Sequence, residues 1–236
     1  MNGFIEKWLK IYLKCFVNVV LYYRNVYPSE SFDWTTYQAF NLPRYIPINR
    51  HPGLQKYIEE LVVDVLGKLP HVHRFNLLIV TQEDVCVERY VLDFGEFIHD
   101  TVSIEVHETQ VFDEFRSCLN SLISKLEKLP SIGPNKVTFS VTLDAVSIGL
   151  GHSVHAVKTV QGRQVLEQSV NWTKCKADTF ANTFETSQEY KPKIKVTSMV
   201  GCDIGPMVIY QFMERLLPPD SALMQQSQSE AFKIYE

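Results

Sequence analysis

The sequence predicts an α+β fold in which three helices pack on a largely antiparallel sheet. Three observations predict it. Apolar residues recur at steps of three and four in three separate segments, the period of a helix with a buried face. Other stretches are β-branched and aromatic, or alternate apolar with polar, as strands do. The order is helix, loop, helix, two strands, helix, strand, long polar excursion, two strands, with no internal repeat, which suits a layered α+β domain.

The first helix spans Asn2 to Val26. Ile5, Trp8, Leu9, Tyr12, Phe16, Val19, Val20 and Tyr23 hold the helical period, and Lys7, Lys10, Lys14 and Asn18 form a narrow polar stripe. Most of its circumference is apolar, so it should be largely buried, with Pro28 as its stop. Residues 29–50 read as irregular, with a short β excursion at Tyr45 to Ile48. A second helix runs from Pro52, a favourable first-turn residue, to Leu69. Leu54, Ile58, Leu61, Val65 and Leu69 are its buried stripe, and Glu59, Glu60, Asp64 and Lys68 face away. Arg74 to Val80 and Val85 to Phe94 read as a hairpin across a short polar turn.

The third helix has the most regular period: Phe112, Phe115, Leu119, Leu122, Leu126 and Leu129 alternate steps of three and four up to Pro130. A strand from Val137 to Ile148 alternates Val137, Phe139, Val141 and Leu143 with Thr138, Ser140, Thr142 and Asp144, giving one buried and one wet side. From Gly149 to Lys191 large apolar residues thin out, as in a long surface excursion. Strands return at Lys193 to Val200 and Met207 to Leu216, and a polar tail follows from Pro218.

Composition narrows the function. The chain has 236 residues, 45% hydrophobic and 21% charged, enough for one large domain and too apolar for wholesale disorder. A formal net charge of −4 argues against a protein whose main task is gripping nucleic acid. The five cysteines are widely spaced and contain no C-x-x-C pair, so neither a disulfide framework nor a zinc knuckle is expected. The apolar first segment is broken by Glu6, Lys7, Lys10 and Lys14. Its longest uncharged stretch, Cys15 to Tyr23, is short of the ~20 residues of a membrane span. A soluble intracellular protein is the expectation.

Catalytic signatures are missing. Gly149-Leu150-Gly151 follows a strand, but the third glycine of a dinucleotide loop would fall at Val154. His71-x-His73 and His152-x-x-His155 have no accompanying carboxylates in a metal-binding pattern. No G-x-S-x-G elbow occurs. Asp93 and Glu96 end a strand and read as solvated edge residues. Lys191, Lys193 and Lys195 alternate on one strand face, a device that discourages edge-to-edge aggregation. No enzyme, cofactor or metal site is expected. Trp172 is different: a lone tryptophan in a polar segment needs something to pack on. Either it docks onto the body or it closes over a bound peptide.

Four segments carry a resemblance. Leu21-Tyr-Tyr-Arg-Asn-Val-Tyr-Pro28 ends the first helix, and Arg50-His-Pro-Gly-Leu-Gln-Lys-Tyr-Ile58 opens the second. Val85-Cys-Val-Glu-Arg-Tyr-Val-Leu-Asp-Phe94 is a strand, and Lys193-Ile-Lys-Val-Thr-Ser-Met199 begins the late pair. In this order and spacing they resemble a HORMA domain, within it the branch of non-catalytic accessory subunits of translesion DNA polymerase zeta in fungal form. The resemblance implies one HORMA domain over 1–216, with a core of 1–148, a mobile seatbelt of 149–216, and a polar tail of 217–236. It implies an adaptor that clamps a short proline-bearing peptide of the polymerase's catalytic subunit, with Tyr27, Tyr57 and Trp172 at the peptide. It further implies that Ile194 and Tyr210 meet the C-terminal domain of a Y-family scaffold polymerase. Arg116 and Asn120 would pair two copies of the chain. Such a subunit meets DNA only through its complex, has no membrane partner, and works in the nucleus. A spindle-checkpoint HORMA adaptor, using the same clamp on other peptides, is the alternative; a direct nucleic-acid-binding module is a second.

Overall fold

The structure is a computed structural model and describes residues 3–35, 40, 46–97, 106–144, 169–173, 193–217 and 234–235. The dinucleotide-like glycines, His99, His152, His155, Cys175, Lys191 and most of the polar excursion lie outside the described residues.

The helices are α1 (Gly3–Tyr23), α2 (Pro52–Lys68) and α3 (Glu108–Leu126). The strands are β1 (Phe32–Thr35), β2 (Ile46–Asn49), β3 (Arg74–Thr81), β4 (Cys86–Phe97), β5 (Val137–Asp144), β6 (Ile194–Ser198), β7 (Cys202–Asp203) and β8 (Met207–Leu216). Among the described residues β1 and β2 form a hairpin. The main sheet runs β5-β3-β4-β8-β6, with β7 on β8, and every pairing in it is antiparallel. The expected three helices and antiparallel sheet are therefore present.

The core forms around α1. Leu9, Leu13, Phe16, Val17, Val20 and Leu21 are buried, so water is excluded from nearly its whole girth, as its composition predicts. α3 packs along it through a stacked Tyr12–Phe115 pair with centroids 5.1 Å apart and an edge-on Trp8–Phe112 pair at 5.0 Å. The sheet closes over it through Phe75, which meets Phe16 edge-on at 6.1 Å. The polar stripe has a partner on α2: Lys10 lies 2.7 Å from Glu59, and Lys14 pairs with the same carboxylate. Hydrogen bonds from those lysines hold the Glu59 carboxyl below its usual range.

Three local expectations change. α1 stops at Tyr23, short of the expected end at Val26, because Asn25 takes a left-handed conformation (φ 50°) and Val26 N–H bonds back to the Leu21 carbonyl, a helix-ending turn that asparagine tolerates. Of the hairpin β1–β2, the β excursion expected at Tyr45 to Ile48 is β2, whereas β1 and its pairing escaped sequence reading. The hairpin is pinned by buried Asn18 on α1, whose Oδ1 accepts the Asn49 N–H at 2.9 Å. Lys68 does not face away: it is 8% exposed and neutralised by Asp64 one turn before it.

One ion pair is withdrawn from water altogether. Arg24, just beyond α1, and Glu88 of β4 have side chains 1% and 0% exposed. The guanidinium donates to both carboxylate oxygens, at 2.8 and 3.0 Å, and also to the carbonyls of Tyr23 and Pro130. The carboxylate takes two further donors, the hydroxyls of Tyr90 at 2.7 Å and Tyr235 at 3.0 Å. All four lone pairs of the carboxylate and four of the five guanidinium N–H groups thus have a partner, which offsets a desolvation cost of several kcal/mol per ion. Arg24→Met should lower the unfolding free energy by about 3–5 kcal/mol, because it strands Glu88 in the core. Adding Glu88→Gln to that variant should recover part of the loss. Urea unfolding midpoints measure both, and an Arg24→Met midpoint equal to the parent's would refute this reading.

Candidate functional site

β5 alternates from Val137 to Ser140 as expected, but its last four residues, Val141 to Asp144, are all half-buried, and β3 pairs with it along its whole length, from Thr81 opposite Val137 to Arg74 opposite Asp144. Among the described residues its other edge has no strand partner. A bare edge offers a row of N–H and C=O groups to any extended chain laid beside it.

Aromatic rings wall this edge. Phe139 on β5 meets Tyr27, after α1, at 6.3 Å and Tyr57, on α2, at 5.9 Å, both edge-on. Tyr57 remains 43% exposed. Burial raises both phenols above their usual range, and Tyr57 feels Tyr27 as well, so both are neutral donors at pH 7. The two tyrosines assigned to a peptide groove are thus brought together, and Phe139 is the ring that joins them. Sequence reading placed Phe139 on the buried side of its strand, which is correct but concealed its role at the rim.

Trp172 approaches the same helix. Its indole N–H donates to Asp64 of α2, and its ring packs partly buried against the core. Asp64 follows Tyr57 by about two helical turns. The segment 169–173 is therefore fastened to α2 on the helix that carries the aromatic rim. Of the two alternatives for Trp172, docking onto the body is the one the described residues show.

The other end of the sheet carries a second exposed surface. Tyr210, Phe212, Glu214 and Leu216 alternate onto one face of β8, with Ile194, Val196 and Ser198 opposite the last three of them on β6. Ile194 is 39%, Val196 59% and Tyr210 55% exposed. Ile194 and Tyr210 share this face but stand six β8 positions apart, roughly 20 Å. Val196 fills the interval. The lysines flanking Ile194 hid this stripe, because their alternation reads as a solvated edge. Arg116 and Asn120 lie one turn apart on α3. They are on a different face from Glu114 and Ser121, which receive the N–H groups of Asp203 and Val200.

Nothing in the described residues assembles a reactive centre. Asp93 is taken by Arg74 at 2.6 Å. No group of three or more His, Cys, Asp or Glu among the described residues is placed to hold a metal ion. Burial pushes the Cys15 thiol up to about 12; a hydrogen bond with Cys118, together with burial, pushes the Cys202 thiol up as well. Neither forms a thiolate at neutral pH. No helix among the described residues is long and apolar enough to cross a membrane.

Asp64→Ala tests the tether. It removes the partner of the Trp172 indole and leaves Lys68 buried without its counter-charge, so about 1.5–3 kcal/mol of stability should be lost. Tryptophan emission should shift to the red as the indole is released. Unchanged emission and melting temperature would place Trp172 elsewhere in solution.

The chain was then compared with known proteins. The family model of the HORMA domain matches residues 6–146. A curated relative from Saccharomyces cerevisiae, the DNA polymerase zeta processivity subunit, is 49% identical over 229 residues, covering 95% of this chain and 93% of that one. Among solved structures, a chain of the mitotic checkpoint complex superposes with a TM-score of 0.64 at 14% identity, covering 90% of this chain and 98% of that one. The HTP-2 protein of C. elegans, bound to a HIM-3 closure motif, gives 0.61 at 11% identity, with 89% of each chain covered. At those identities the two structures speak to the fold.

Proposed function

The chain belongs to the HORMA domain family, and on that premise we propose that it is the non-catalytic accessory subunit of a DNA polymerase zeta, acting in translesion synthesis and mutagenesis in the nucleus. The relationship to the yeast processivity subunit supports the assignment to this polymerase. The observation that carries the binding mode is the edge of β5, unpaired among the described residues, with Tyr27, Tyr57 and Phe139 along its rim.

The chemistry of such an edge is strand addition. A short segment of the catalytic subunit lies beside β5, and main-chain hydrogen bonds supply affinity that is indifferent to sequence. Sequence preference comes from the rim. A proline-bearing peptide suits the tyrosine rings, which offer flat apolar faces, and proline is admissible wherever the added strand does not donate to β5. The segment around Trp172, fastened to α2 through Asp64, then crosses the bound strand as a belt. Release requires that segment to detach, so dissociation is slow and coupled to local unfolding.

The exposed stripe of Ile194, Val196 and Tyr210 is the surface for the C-terminal domain of a Y-family scaffold polymerase. It exposes apolar side chains on two strands, interrupted by Glu214 and Ser198, and lies at the opposite end of the sheet from the peptide edge, so both partners can be held together. Arg116 and Asn120 on α3 provide the contact with a second copy. A spindle-checkpoint adaptor would use the same edge on other peptides, and the peptide that is captured decides between the two.

Calorimetric titration with a proline-bearing peptide of the catalytic subunit is the test. Tyr57→Ala should cost little stability, because the ring is half exposed, yet weaken binding by roughly 30- to 1000-fold, as loss of an aromatic anchor typically does. Trp172→Ala should mainly accelerate dissociation. Parent affinity retained in both variants would remove the rim from the binding site. Arg116→Glu should reduce dimerisation in sedimentation and leave peptide affinity intact; a variant as dimeric as its parent would move the self-contact off α3.

A further inference from the structure

The buried Arg24–Glu88 pair is completed by residues from the far end of the sequence. Ile234 is 5% exposed, and its carbonyl accepts the Gly133 N–H at 2.8 Å. Tyr235 forms an antiparallel bridge with Ile132, and its hydroxyl donates to Glu88 at 3.0 Å. A tail that reads as polar and loose therefore ends in two docked residues.

We infer that Arg24, Glu88, Tyr90 and Ile132 form a binding site for the chain's own Ile234–Tyr235, and that filling it clips the belt strand β8 onto the core. This rests on the reading of β6–β8 as part of the belt. Three observations carry it. The site is specific: the Ile234 side chain is buried, its carbonyl accepts the Gly133 N–H, Tyr235 bridges to Ile132, and the Tyr235 phenol reaches a carboxylate buried to 0% exposure. Without that phenol, Glu88 Oε1 keeps Arg24 as its one hydrogen-bond donor.

The site also adjoins β8. Glu88 lies opposite Arg215 in the β4–β8 ladder, so the Tyr235 hydroxyl that bonds Glu88 is held at a residue paired with β8. Finally, the clip sits at the base of β5. Asn25, the residue that ends α1, donates to the Ile132 carbonyl at 2.6 Å, and β5 begins at Val137. The docked Ile234–Tyr235 therefore lies next to the start of β5. A tether as short as residues 218–233 presents the dipeptide to its site at about millimolar effective concentration.

Amide hydrogen exchange of the peptide-free full chain tests this, so the result does not depend on whether a partner peptide binds. In an Ile234→Ala/Tyr235→Ala variant, β8 amides should exchange about tenfold faster or more, while α1 amides from Leu9 to Leu21 stay within about twofold of the parent. A synthetic peptide of residues 232–236, at millimolar concentration, should restore β8 protection. Tyr235→Phe, which loses only the hydroxyl, should show a smaller rise confined to β8, and it stands as the test should the double variant fail to fold. Unchanged β8 exchange in the double variant, an equal rise in α1 and β8, or no protection by the added peptide would each overturn the clip. If the clip holds while partner titrations show no capture, the belt reading fails and the clip stands as a feature of the fold.

Discussion

A guanidinium and a carboxylate removed from water persist only when nearly all of their hydrogen-bonding sites are filled, and that requirement organises this chain. Arg24 and Glu88 draw together the end of α1, strand β4, the segment after α3 and the last described residues. Apolar packing would tolerate a range of arrangements among these elements. The ion pair does not, because a shift of a few ångströms would leave a buried charge short of partners, at a cost of several kcal/mol. The pair therefore fixes where α1 ends relative to the sheet. That position in turn sets Asn25 against Ile132 and Tyr27 against Phe139. The rim of the β5 edge is thus held in place by a polar constraint some distance from it.

How much of this was legible in the sequence depended on element length. α1, α2, α3 and the β3–β4 hairpin carry enough residues for a period to declare itself, and their core faces followed. The hairpin β1–β2 has four residues per strand with Trp34 opposite Pro47, too short and irregular for an alternation signal. β7 has two residues. The stop of α1 was assigned to a proline because asparagine in a left-handed turn has no signature beyond its own propensity. Lys68 was misread because a lysine is normally solvated, and its burial depends on Asp64 one turn earlier.

The site was legible by a different route. Tyr27, Tyr57 and Trp172 came from the resemblance of whole segments, not from any chemistry visible in their spacing. Their meeting place, a strand edge unpaired among the described residues, is a property of sheet order, and order is set by contacts between residues far apart in sequence. Phe139 and Val196 were missed for the same reason: each lies in a plain alternating strand, and only the position of that strand at one end of the sheet gives it a rim or a surface. Ile234 and Tyr235 are two residues in a polar stretch, and no periodicity can be read from two positions.

The position of β8 bears on how the chain is made. It lies between β4 and β6, pairing with β4 at positions well over a hundred residues earlier. During synthesis β4 emerges with β3 and waits for β8, about 5–25 s at ordinary ribosomal speeds of ~5–20 residues per second. Throughout that interval β4 has a long apolar edge without its native neighbour, the kind of surface that recruits other nascent chains. Loop closure over such a separation is also slow compared with the local helices. The nascent protein therefore passes through a stage in which its early helices can form while its central sheet is incomplete. Its yield in a cell depends on protection during that stage as much as on the stability of the finished fold.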